Sequence, residues 1–320
     1  MSIVYFLFAQ TLLFAIPLMI VALGGMFSER SGVVNLALEG IMIIGGFAGV
    51  FYLNYMQSND ILHGLPLLLT GLLISGIVGI VFSMLHAFAA IHLNADQTIS
   101  GTALNMLAPA LGIFIAKTVQ DGMQNVSFTN EFRISEVPGL SSIPVLGDLF
   151  FKNCYFTTFL GIAILIISWY FLMKTKTGLR IRSCGENPQA ADAAGISVYK
   201  IRYLGVGISG FLAGMGGLIY ILPISTEFTC TVAGYGFLAL AVLIFGNWAP
   251  LRIAGAAFFF GFMKTLSYTY NSVPLLAKMS LPDTTYKLIP YVATLILLAF
   301  TSKNSAAPRA DGVPYDKSKR

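Results

Sequence analysis

Apolar residues run along this chain in long, nearly unbroken stretches separated by short polar punctuation. They do not alternate with polar residues at the period of a strand or a half-buried surface helix. Stretches near 4–27, 35–54, 65–92, 97–117, 154–174, 201–222, 235–248, 254–271 and 287–302 predict nine membrane-crossing helices, within a range of eight to ten. The expected fold class is all-α, a polytopic membrane helix bundle. It forms a single transmembrane domain over 1–302, interrupted by an outer loop at 118–153 and a polar loop at 175–200, and ends in a basic tail at 303–320. One stretch differs from the rest: Tyr235 to Asn247 has only 13 residues, about 20 Å of helix against a hydrocarbon core of about 30 Å. The glycines and threonines from Glu227 to Gly236 suggest a discontinuous helix near 227–248, tolerated where backbone lines a cavity or is buried in protein. A short, tilted ordinary span is the other reading.

Composition agrees with a bilayer environment. The 320 residues are 56% hydrophobic and 10% charged, with a mean hydropathy of +0.79, whereas a soluble domain carries about 25% charged residues. The first span has neither a charged leader nor a small-residue cleavage site, so Ile3 to Gly25 reads as a retained helix.

The net charge of +5 matters less than its distribution. Lys303, Arg309, Lys317, Lys319 and Arg320 in the tail, Arg30, the six basic residues Lys174, Lys176, Arg180, Arg182, Lys200 and Arg202, and Arg252 all fall on one side of a nine-span layout. Lys117, Arg133, Lys152, Lys278 and Lys287 fall on the other. Thirteen against five predicts an outside N-terminus and a cytoplasmic C-terminus. Asp60, Asp121, Glu131, Glu136, Asp148, Glu227 and Asp283 gather on the outer side in the same layout.

Several chemistries are excluded. There is no Gly-x-x-x-x-Gly-Lys-Ser/Thr loop, so this chain hydrolyses no ATP through one. His63, His86 and His92 form no His-Glu-x-x-His pattern, and Cys154, Cys184 and Cys230 are too dispersed for a zinc knuckle. No Asp-Asp-x-x-Asp spacing is present for a metal-diphosphate transferase. Gly207-Ile-Ser209-Gly210 matches the Gly-x-Ser-Gly of intramembrane serine proteases, but such a serine needs a histidine base on a later span. All three histidines precede residue 93. No catalytic residue, metal or nucleic-acid contact is expected.

The loop at 175–200 is the most informative polar stretch. Within Gly185-Glu-Asn187-Pro188-Gln-Ala190-Ala191-Asp-Ala-Ala194-Gly195, Asn187 can cap a helix and Pro188 fits its first turn. The alanines propagate it, and Gly195 can end it in the left-handed conformation. A helix of about two turns is unstable alone and needs a partner surface or the flanking membrane. A cytoplasmic connector without a partner is the alternative.

This Gly-x-Asn-Pro-x-Ala-Ala-x-x-x-Gly-Ile segment, following Thr175-x-x-Gly178, resembles the coupling loop of ABC importer permeases of the branched-chain amino acid, ribose and nucleoside type. Glu29-Arg30-Ser-Gly32-Val-Val-Asn35-Leu-Ala-Leu-Glu39-Gly40 resembles the second-span signature of the nucleoside and simple-sugar branch. Ala95-Asp96-Gln97-Thr-Ile-Ser100-Gly101-Thr-Ala-Leu-Asn105 is similar to a segment of one of that branch's two permeases, as are Pro290-Tyr291 and Ala307-Pro308-Arg-Ala-Asp-Gly312-Val-Pro314-Tyr315. Together these segments reach from residue 29 to 315.

The resemblance implies a subunit of a bacterial cytoplasmic-membrane importer. Its partners would be a second related permease, cytoplasmic ATPase subunits that hold the ATP and magnesium, and an external substrate-binding protein, with no cofactor on this chain. The coupling set carried over is Gly185, Asn187, Pro188, Ala190, Ala191 and Gly195, with Arg180 and Arg182 beside it. Nucleosides come first as cargo, then simple sugars, then branched-chain amino acids. Ribose-type members have an additional N-terminal span, and this chain starts at the following one. The outer loop suits contact with a binding protein or a mobile connector.

A charge in hydrocarbon costs at least ~2.5–3.5 kcal/mol, so Glu39 and Lys264 are expected to face protein or a watery path. Glu39 lies four residues after Asn35, on the same helix face. Both could line the translocation route, or Glu39 could brace a neighbouring broken helix. Gln97 and Asn105 are pathway candidates that equally suit hydrogen bonds between helices. Gly210 and Gly214 form a small-xxx-small pair suited to packing. The expected mechanism is alternating access, with movement of the 187–195 helix passing through spans 154–174 and 201–222 to an outer gate. A stand-alone secondary transporter, coupled through Glu39 and Lys264, is the competing function.

Overall fold

The computed structural model describes residues 3–137, 141, 147–272, 282, 285–286, 288–290, 292–295 and 307–316. In chain order its helices are α1 (Ile3–Arg30), α2 (Leu38–Ser58), α3 (Gly64–Ile91), α4 (Gln97–Val119), α5 (Phe156–Lys174), α6 (Lys176–Glu186), α7 (Pro188–Ala193), α8 (Val198–Ile224), α9 (Tyr235–Phe245) and α10 (Pro250–Thr269). Among the described residues six are long and apolar enough to cross a bilayer, namely α1 to α5 and α8. The chain is a polytopic helical membrane protein. The stretch at 287–302 lies mostly outside the described residues, as do Tyr291, Lys278, Asp283, Lys287, Lys303, Lys317, Lys319 and Arg320.

Local chemistry sets several helix ends. Asp96 accepts the N–H groups of Thr98 and Ile99 at 2.8 and 3.0 Å to start α4, and Pro250 occupies the first turn of α10. On α3, Leu65, Leu69, Leu73, Ile77, Val81, Leu85 and Phe88 are each exposed and recur every three or four residues. Such a stripe on one helix face is a surface for lipid or another apolar partner, which water would not tolerate.

Packing centres on α8, which lies against α1, α2 and α3. Its glycines make this possible: a Cβ at Gly217 would collide with the Met42 carbonyl of α2, and one at Gly214 with the Ser75 carbonyl of α3. Gly210 faces the Gly79 carbonyl of α3 in the same way, so the small-residue pair is a packing seam.

Short strands tie down the described parts of the loop at 118–153. Strand β1 (Val126–Ser127) pairs antiparallel with β4 (Glu227–Phe228), and β2 (Arg133–Glu136) pairs with β3 (Lys152–Tyr155). Asn54 donates to the Ser127 carbonyl at 2.8 Å, and the Gln57 amide takes both the N–H and the carbonyl of Thr129, each at 2.9 Å. Two helix-end amides thus satisfy loop backbone that has no regular partner.

Candidate functional site

Two regions concentrate polar chemistry: the non-helical turn between α1 and α2 with everything that grips it, and the loop containing α6 and α7. In the turn, the chain leaves helix geometry at 31–37, so its backbone groups need side-chain partners inside the bundle. Those that follow come from α3 and α4. Gln97 accepts the Val34 N–H at 2.8 Å, and His86 lies 2.8 Å from the Val34 carbonyl through Nε2. Asn105 donates to the Leu36 carbonyl and accepts the Gly40 N–H, both at 2.7 Å. Asn35, fully buried, donates to the Ser209 hydroxyl at 2.9 Å and accepts the Ala37 N–H. Asn35, Gln97 and Asn105 therefore meet at one turn. Ser209 is held by an amide, with no histidine beside it, and carries no nucleophile geometry.

Glu39 leaves this cluster and points to α9. Its Oε1 accepts the Gly234 N–H at 2.8 Å and its Oε2 the Gly236 N–H at 2.6 Å. A carboxylate at a helix N-terminus satisfies orphan donors and meets the positive end of the dipole. α9 is 11 residues long, about 16 Å, and the backbone before it is irregular, with Cys230, Ala233 and Gly234 all at positive φ.

Lys264 of α10 forms no ion pair with Glu39. Its Nζ sits 5.9 Å from the Tyr235 ring centre and 5.3 Å from that of Tyr268, and no carboxylate pairs with it among the described residues. It lines a cavity of about 440 Å³ with Gly234, Tyr235, Phe237, Ala241 and Thr294. A cation there is stabilised by the quadrupoles of the two rings.

In the loop, Thr175 accepts the Gly178 N–H at 3.0 Å and starts α6, a helix that sequence alone did not show. Asn187 accepts the Ala190 N–H at 3.0 Å to cap α7, and Gly195 follows at φ +79°. Arg180, Asn187, Ala190 and Gly195 are exposed, while Gly185, Pro188 and Ala191 pack inward and Arg182 is half-buried. Leu179, 59% exposed, adds an apolar contact to the outward face.

Beneath the loop lies a cluster that the sequence did not reveal. Trp248 donates through Nε1 to Glu29 at 2.5 Å, and Arg30 donates to the Trp248 carbonyl at 3.1 and 3.2 Å. Arg30 also approaches Glu186 at 3.7 Å. Arg202, 1% exposed, donates to the Val313 carbonyl at 2.9 Å, and the Ala310 N–H donates to the Gly185 carbonyl at 2.8 Å. The 307–316 segment is thus docked across α6 and α8. Burial, with Glu29 close by, pushes the Asp311 carboxyl up to about 8. Burial likewise pushes the Cys184 thiol up to about 11. All three cysteines are free, and no cluster of three or more His, Cys, Asp or Glu suited to a metal occurs among the described residues.

Residues 7–299 match the family described as branched-chain amino acid transport system, permease component. The chain belongs to this permease family. The permease is 47% identical over 311 residues to the guanosine ABC transporter permease protein NupQ of Bacillus subtilis, covering 97% of this chain and 96% of the relative. It is 43% identical over 313 residues to the nucleoside ABC transporter permease protein NupC of Lactococcus lactis, with coverage of 97% and 96%. A more distant likeness, 26% over 253 residues, covering 78% and 70%, links it to the guanosine ABC transporter permease protein NupP of Bacillus subtilis. The permease is a multi-pass transport component of the cytoplasmic membrane, not an enzyme, and its full-length likeness to ABC permeases displaces the stand-alone secondary transporter.

Proposed function

We propose that this chain is the permease subunit of an ATP-binding-cassette importer of a small polar solute, a nucleoside first and a simple sugar as the alternative cargo. The observation that carries the reading is the α6–α7 loop: a capped, two-helix element with Leu179, Arg180, Asn187 and Ala190 turned outward. Helices this short need a partner, and a groove on an ATPase fits their small exposed surface. The relatives' names support the cargo, and the presence of two permeases under one guanosine label in Bacillus subtilis supports a second, different permease beside this one.

The proposed layout is nine spans with the N-terminus outside and the tail inside. Support for the shared side of tail and loop comes from the Ala310–Gly185 hydrogen bond. α9 is read as the discontinuous element, α10 and the 287–302 stretch as spans. ATP and magnesium bind the partner ATPase, and an external binding protein meets the outer loop. Lys264 and its cavity belong to the translocation route, and the Glu39 carboxylate shapes that route by holding α9. Asn35, Gln97 and Asn105 set its floor through the 31–37 turn.

The test is purification of the tagged chain from native membranes in mild detergent, followed by nucleoside uptake into proteoliposomes. Copurification of a phosphate-loop ATPase and a second permease, with uptake that requires ATP, is expected. A lone chain that transports without ATP overturns the reading.

A further inference from the structure

We infer that α9 carries the cytoplasmic stroke to the Lys264 cavity, with Trp248 and Glu29 as its positioning residues; this rests on the importer reading above. The two glutamates of one short segment hold the two ends of this helix. Glu39 binds the N–H groups of Gly234 and Gly236 at its start, and Glu29 binds the indole of Trp248 just past its end. Each end also leaves helix geometry through two consecutive left-handed residues, Ala233 and Gly234 before it and Asn247 and Trp248 after it. Non-glycine residues rarely rest there, and they persist where surrounding contacts fix them. Between these two joints α9 is an unbroken rod of 11 residues.

The cytoplasmic joint is wired to the coupling loop. Arg30 holds the Trp248 carbonyl with two N–H groups and reaches Glu186 at 3.7 Å, and Glu186 is bonded to Asn187, the cap of α7. Displacing α7 therefore pulls on Arg30 and on the turn at 247–248. The far joint opens on the cavity, because Gly234, Tyr235, Phe237, Leu238 and Ala241 line it opposite Lys264. A rod hinged at both ends converts a shift at Trp248 into a changed cavity wall, a hinge device of few residues. This path is separate from the one through α5 and α8.

The experiment uses the assembled transporter in proteoliposomes and reads nucleoside imported per ATP hydrolysed. Trp248→Phe keeps the ring and loses the Nε1–H donor. The expected result is a fall of about tenfold in that ratio, as for a buried hydrogen bond to a charged group, with hydrolysis continuing. Glu29→Ala should match it, and Glu29→Gln, which keeps a carbonyl acceptor, should restore most of the ratio. A wild-type ratio in Trp248→Phe, or equal ratios in Glu29→Ala and Glu29→Gln, overturns the proposal. If Trp248→Phe fails to assemble, the two Glu29 variants decide. Failure of Glu29→Ala to assemble as well makes the link structural and overturns it too. Absence of ATP-driven uptake in the wild type would instead defeat the importer reading.

Discussion

Glu39 accepts the backbone N–H of Gly236 at 2.6 Å across 197 positions of sequence, and a Cβ on Gly236 would strike the Glu39 backbone itself. The close approach and the hydrogen bond are one fact. Only a residue without a side chain lets α2 come near enough for its first-turn carboxylate to become the cap of α9, whose own entry offers no side-chain cap.

Replacing Glu39 with Gln leaves one carbonyl oxygen for two donors and turns an NH₂ group toward the other. Hydrogen bonds to a charged acceptor are worth about 1.5–3 kcal/mol each, so the variant should lose about that much stability. A lower melting midpoint in detergent and reduced uptake are expected. An unchanged midpoint would show that the cap contributes nothing.

Close helix contact makes a second, paired expectation. Gly217→Ala places a methyl group against the Met42 carbonyl, and backbone cannot retreat as a flexible side chain can. A loss of about 1–3 kcal/mol follows from overpacking. Gly255→Ala on α10 meets nothing within 4 Å and should be neutral or slightly stabilising. Equal melting midpoints for the two variants would contradict the packing of α2 on α8.

Much of this architecture is legible in the chain because hydrocarbon demands long apolar helices: α3 was expected at 65–92 and lies at Gly64–Ile91, and the Asn187 cap and Gly195 stop lie where their chemistry puts them. Glu39 was readable as a brace for a broken helix, since a mid-membrane carboxylate and a half-length apolar stretch each need a partner. What stayed hidden depends on distance in sequence. Glu29 and Trp248 are separated by 219 positions, and nothing local marks either as the other's partner. α6 was missed because its average composition is polar, although Gly178, Ile181, Cys184 and Gly185 do share one buried face, and the strands at 126–136 and 152–155 because segments of two to four residues carry no period.

The α6–α7 loop separates two neighbouring alanines. Ala190 faces outward, whereas Ala191 is 3% exposed and packs on its own chain. Ala190→Arg should leave the protein inserted and folded while uptake falls about tenfold or more, the weight of one interface contact. Ala191→Arg forces a guanidinium into packed surroundings and should lower the melting midpoint as well. If Ala190→Arg transports like the wild type, the outward face is not the docking face.

Docking of the 307–316 tail should depend on pH through Asp311, which faces Glu29 from α1 and Arg202 from α8. Its proton is held up to about 8 in the docked tail but to its ordinary value of 3.8 in a free one. The docked state therefore binds the extra proton between those limits, so docking weakens as pH rises through that window and levels off above about 8. Protection of the Ala310 amide from hydrogen exchange, corrected for intrinsic rate, should fall by up to about tenfold per pH unit. Because the shift is shared with the neighbouring Glu29 carboxyl, Asp311→Asn should reduce the dependence, and a flat wild-type profile would refute it.

Cys184 offers a direct reporter of the same contact. Its side chain is fully buried on α6, next to Gly185, whose carbonyl holds the Ala310 N–H and whose Cα faces the Pro308 ring. Arg202 lies on its other side and holds the tail through Val313. Burial pushes the thiol up to about 11, so at pH 7.5 the reactive thiolate is scarce even before access is considered. A maleimide should label Cys184 only through openings that lift the tail, and a chain ending at residue 306, or Arg202→Gln, should label at least about tenfold faster. Cys154, half-buried on β3 at the far end of the bundle, serves as the internal standard, because tail removal should leave its rate alone. Acceleration at Cys184 but not at Cys154 localises the loosening to the cluster under α6 and α7. Equal acceleration at both would mean that the tail stabilises the whole bundle and does not specifically cover α6.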